Sequence, residues 1–142
     1  MELAPEVSQM MRGRPAAKVW LVTCTPGEVA SFDDLAQRAG LEPLGRAWLE
    51  VDAERARQIL IALLHKDLAY KGEVMTKNRA EWLAGEFVGS FGKDDVRFAT
   101  NTADMPDTFP FAWEPATEFT FDAGVAVMGK AGAGVFWVAD ED

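Results

Sequence analysis

Two short apolar runs near the C-terminus, residues 125–128 (VAVM) and 135–138 (VFWV), flank the segment Gly129-Lys130-Ala131-Gly132-Ala133-Gly134. Runs of this length, rich in valine and aromatic side chains and joined by a glycine-bearing connector, are the pattern of a β-hairpin. The glycines are expected in its loop. Strands therefore close the chain, while the periodicity before them is helical.

Ala56, Ile59, Leu60, Leu63 and Leu64 recur at the spacing of one buried helix face, with Asp52 as its N-cap. Ala80, Leu83, Ala84, Phe87, Val88 and Phe91 repeat that spacing, and Gly92 closes it, predicting a second helix near 77–91. A shorter helix is expected from Ser31, where Ser31 and Asp34 fit a capping box and Gly40 supplies the stop. Strands are expected at 18–24 (KVWLVTC), at 46–51 (RAWLEV) and around Val96, Phe98 and Thr100; Phe119 and Phe121 also alternate with polar neighbours. Helices in the middle and consecutive strands at the end predict an α+β fold. In it, a mostly antiparallel sheet carries two or three amphipathic helices on one face and ends in a C-terminal β-hairpin.

A chain of 142 residues with 49% hydrophobic and 26% charged side chains fits one domain of ordinary globular composition. Residues 1–17, with Pro5, Pro15 and the basic pair Arg12 and Arg14, are expected to form a mobile N-terminal leader, and residues 18–142 the single domain. The one cysteine, Cys24, cannot form an internal disulfide, and no run approaches a bilayer span. A cytoplasmic, bacterial protein is expected.

Charge is distributed unevenly. Residues 1–71 hold nine Lys/Arg against ten Asp/Glu, and residues 72–142 hold five against thirteen, so nearly all of the net −9 lies in the second half. Beyond Phe98 the acids Asp104, Asp107, Glu114, Glu118, Asp122, Asp140, Glu141 and Asp142 face one cation, Lys130. Such a field repels nucleic acid and anionic membrane and attracts cationic partners.

No motif names an activity. His65, the only histidine, falls at the end of the leucine-rich helix, where it complements the dipole. Cys24 lies in an apolar strand without a nucleophile signature, and one His with one Cys cannot build a usual zinc site. Gly129, Gly132 and Gly134 with Lys130 lack the spacing and the following Ser or Thr of a phosphate-binding loop. Residues 35–41 (LAQRAGL) resemble the opening of a helix-turn-helix, but the next segment holds Pro43, Gly45 and a single cation, Arg46. Neither an enzyme, a metal nor a cofactor is expected.

The remaining pattern is aromatic and acidic. Phe109, Phe111 and Trp113 fall in a loop flanked by Pro106, Pro110 and Pro115, where large aromatics either fold back or wait for a partner. In size, charge sign and missing chemistry the chain is similar to immunity and inhibitor proteins as a class, which neutralise a basic toxin or enzyme. The contacts expected for a basic protein partner are Asp104, Asp107, Phe111, Trp113, Glu114, Asp140, Glu141 and Asp142. The alternative expectation is a small regulatory or ligand-binding domain, with a divergent helix-turn-helix near 31–50 or a pocket for a metabolite.

Overall fold

A computed structural model describes residues 1–141. Five antiparallel strands form one sheet in the order β1-β5-β4-β3-β2, comprising β1 (Lys18–Cys24), β2 (Leu49–Val51), β3 (Arg97–Thr100), β4 (Phe121–Gly129) and β5 (Gly132–Asp140). The hairpin β4–β5 sits inside the sheet, and every residue of β5 is buried. Helices α1 (Pro5–Arg12), α3 (Ala53–His65) and α4 (Lys77–Gly89) pack on one face, against Leu21, Phe98, Val125, Val127, Phe136 and Val138. Helix α2 (Phe32–Ala39) covers the other face with Trp48, over Trp20, Val135 and Trp137. The fold is α+β as expected; of the expected helices α3 and α4 share one face, joined there by α1, while α2 lies on the opposite face.

The helix starts follow the capping residues. Ser31, Asp52 and Thr76 each accept a hydrogen bond from the backbone N–H three residues on. Among the described residues, no helix is long and apolar enough to cross a membrane.

Three expectations need correction. Residues 1–17 are not a mobile leader: Pro5 opens α1, and Leu3, Val7 and Met11 enter the core beside α4. Apolar side chains four apart, with proline at the first turn, make this short helix worth docking. Arg12 then donates to the Leu21 carbonyl on β1, covering part of a free sheet edge. The glycines of the hairpin do not form a long loop either, because its turn is only Lys130-Ala131 and Gly132 and Gly134 lie in β5. A Cβ on Gly134 would lie 2.6 Å from the Phe91 ring, and one on Gly124 would lie 2.3 Å from the Trp137 ring. These glycines make room for aromatic side chains crossing the sheet. Finally, the strand expected at 46–51 begins only at Leu49. Gly45–Ala47 is a 3-10 turn held by Asp33, whose carboxylate accepts from Gly45 N–H and Trp48 Nε1. That turn and the following strand stand where a helix-turn-helix would need its second helix.

Candidate partner-binding surface

The long connection between β3 and β4, residues 101–120, carries most of the expected contacts, and its shape is set by buried polar side chains. Asn101 and Glu114 pair through Glu114 N–H to Asn101 O at 2.9 Å and Asn101 Nδ2 to Glu114 O at 2.8 Å. Thr102, only 2% exposed, donates its hydroxyl to Ala112 O at 2.7 Å, and Asp104 accepts from Ala112 N–H at 2.9 Å. Farther along, the fully buried Asp122 carboxylate accepts from Ala116 N–H, Thr117 N–H and hydroxyl, Trp137 Nε1 and Asn101 Nδ2. Neutral donors alone satisfy this charge. Only residues 105–111 extend beyond the staples.

The aromatics of this loop divide. Phe111 is buried and stacks on Trp113 with ring centroids 4.7 Å apart, and Trp113 packs on Phe121 at 5.3 Å. Both belong to the core on the face covered by α1, α3 and α4, so Phe111 is withdrawn from the expected contacts and Trp113 is half-buried. Phe109, by contrast, is 86% exposed.

The acids divide as well. Asp140, 5% exposed, is not a surface contact: it makes a bidentate pair with Arg14 at 2.8 and 3.1 Å and accepts from Leu68 N–H at 2.8 Å. Arg14 uses its remaining N–H groups on the carbonyls of Leu63, Pro15 and Lys66, which ties the end of α3 to the end of β5. Asp104 and Asp107 are half-buried, while Glu114, Glu118 and Glu141 are exposed. Thr120 donates its N–H and hydroxyl to Glu141, and these bonds hold that carboxyl below its ordinary value. Asp142 lies outside the described residues.

A second turn joins this loop. Asp67 accepts from the N–H groups of Tyr70 and Gly72, and Lys71 places its ammonium 4.9 Å over the Phe111 ring. Burial pushes the Lys71 ammonium down, against the pull of Asp67, Asp107 and Asp140. Tyr70 on this turn is 73% exposed. Tyr70 and Phe109 thus stand on two adjoining segments, which meet where the half-buried Lys71 lies over Phe111 within reach of Asp67 and Asp107. Neither was among the expected contacts. The legible signal for Phe109 was its place between prolines, and for Tyr70 an aromatic in a charged turn.

Elsewhere, Cys24 is buried on the α2 face, and burial raises its thiol. His65, at the end of α3 across the sheet, has Nδ1 2.8 Å from Met75 O. The fold does not bring the two together. Among the described residues, no group of three or more His, Cys, Asp or Glu is placed to hold a metal ion. Searches of family models, of curated proteins and of solved structures find no match to the chain.

Proposed function

We propose that this chain is a small acidic binding protein of the bacterial cytoplasm that neutralises a basic toxin or enzyme, in the manner of an immunity protein. Its docking surface is the tip made by residues 105–110 and the turn 67–72, flanked by Glu114. Nucleic acid and membrane are not its partners, and it performs no reaction of its own. The observation that carries the reading is Phe109, a large apolar side chain 86% exposed on a loop whose two arms are stapled to each other. An anchor of that kind loses little entropy when it enters a partner's pocket. The acids around it speed the encounter with a cationic surface. Asp122 and Asp140 take no part, so the attraction beside the loop comes from Asp67, Asp107 and Glu114.

The test uses the full chain and the product of a neighbouring gene that encodes a basic, toxin-like protein. Size exclusion and calorimetry are expected to show a complex whose association slows with added salt. Phe109→Ser with Tyr70→Ser is expected to speed dissociation by about tenfold or more. No complex, or one indifferent to both substitutions, overturns the reading.

A further inference from the structure

Helix α4 turns toward solvent a face on which a bulky side chain and a hollow follow one another. Trp82 is 42% exposed and joins no aromatic pair among the described residues. Gly89 lies roughly two helical turns further on and so faces the same way, with the exposed Gly85 between them. Both glycines line an open hollow of about 470 Å³ between α4, the start of α3 and the start of β3, where Val96 and Phe98 supply apolar lining. A Cβ at either glycine would meet nothing within 4 Å. Glycine inside a helix weakens it relative to alanine, and no neighbour here requires one; what Gly85 does is keep the hollow open.

Charge follows the same division. Glu81, next to the tryptophan, makes no ion pair among the described residues, and neither does Lys93 in the lining of the hollow. The other charged lining is engaged already. Arg57 pairs with Glu54 at 3.0 Å, with Glu81 only nearby, and Asp52 accepts from Arg55 N–H at 2.8 Å as the cap of α3. An exposed indole with an unpaired acid beside it is complementary to an apolar hollow with an unpaired ammonium. The two cannot meet within one molecule, because they lie along the same face of one helix.

We infer that the chain pairs with a second copy of itself, α4 against α4 in opposite directions. Each Trp82 enters the hollow of the other copy, and each Glu81 comes to the end of the facing helix, where Lys93 stands. A twofold axis makes each contact twice, as a self-complementary patch requires. The pairing uses none of the residues proposed to meet a basic protein and forms without one.

Sedimentation velocity of the full chain, from about 5 μM to about 500 μM, is expected to show a monomer–dimer equilibrium. Trp82→Gln is expected to weaken the dimer about tenfold or more. Gly85→Gln with Gly89→Gln fills the hollow with side chains that suit a helix. It is expected to weaken the dimer as much without lowering the unfolding temperature at the lowest concentration. Mixed in equal amounts, these two variants regain one tryptophan-to-hollow contact, so each should bind the other more tightly than it binds itself. Glu81→Lys and Lys93→Glu should each weaken the dimer about threefold or more, and together restore it. The proposal fails if the chain stays monomeric throughout, or if a dimer forms that ignores the Trp82 and glycine substitutions. It fails equally if the mixture associates no better than its components, or if the two charge reversals do not compensate.

Discussion

Asp140 and Phe111 lie inside the protein, whereas Glu141 and Phe109, one and two positions away, lie outside. The two pairs have nearly the same chemistry, so composition does not decide their places. Asp140 is inside because Arg14 reaches it from the N-terminal segment with all five guanidinium N–H groups engaged. Phe111 is inside because Thr102 and Asp104 hold Ala112 and so turn the chain back onto Trp113. Glu141 has only the exposed Thr120, and Phe109 has no aromatic partner among the described residues. Acids and aromatics here are buried where a specific polar partner closes the site, and otherwise remain available.

The strongest way to break this contrast is to remove the partner. Arg14→Met leaves Asp140 buried and unpaired, and is expected to cost about 3–5 kcal/mol by urea denaturation. Adding Asp140→Leu should recover much of the loss, because it removes the stranded charge. If the single substitution proves harmless, Asp140 has another route to water and belongs with the displayed acids after all.

A smaller effect is expected at Asp122. Asp122→Asn replaces one acceptor oxygen with a donor facing the N–H groups of Ala116, Thr117 or Trp137, at about 1–3 kcal/mol. Hydrogen exchange should quicken at Ala116 and Thr117 before it changes in β5. Uniform quickening would mean that Asp122 supports the whole sheet rather than the loop.

Much of this architecture could be read from the chain, because the features that set it are local. The apolar spacing of residues 56–64, the caps Ser31 and Asp52, and the paired runs around Lys130 each act within a few residues, and each gave its element. The N-terminal helix was missed because eight residues cannot hold a helix alone; docking on the core stabilises it. Asp140 was misplaced for a related reason. Its partner lies 126 residues earlier, and no local pattern announces so distant a pair. The candidate site was half legible. The loop and its aromatics stood out between prolines, but which ring turns inward depends on Thr102 and Asp104 bonding to Ala112.

On the displayed side, Glu141 offers a pH test. Its carboxyl is held low by the two Thr120 donors, so the contact contributes above the unfolded carboxyl value of about 4.3 and is lost as pH falls through the lower folded value. NMR titration should find Glu141 below its ordinary value, and Thr120→Val should move it back up. If it titrates normally, Thr120 does not hold it.

The smallest stability effect is expected at Phe109, where it sharpens the comparison most. Phe109→Ser removes an exposed ring, so the unfolding free energy should stay within about 0.5 kcal/mol of the parent. Truncating the packed neighbour, Phe111→Ser, should cost about 3 kcal/mol or more, since it empties the stack on Trp113 and leaves a hydroxyl in the core. The contrast holds only if the two values differ widely. A loss of more than about 1 kcal/mol at Phe109 would mean that the ring finds cover within the free protein. The loop would then keep all three of its aromatics for itself, and the docking anchor would have to be sought at Tyr70.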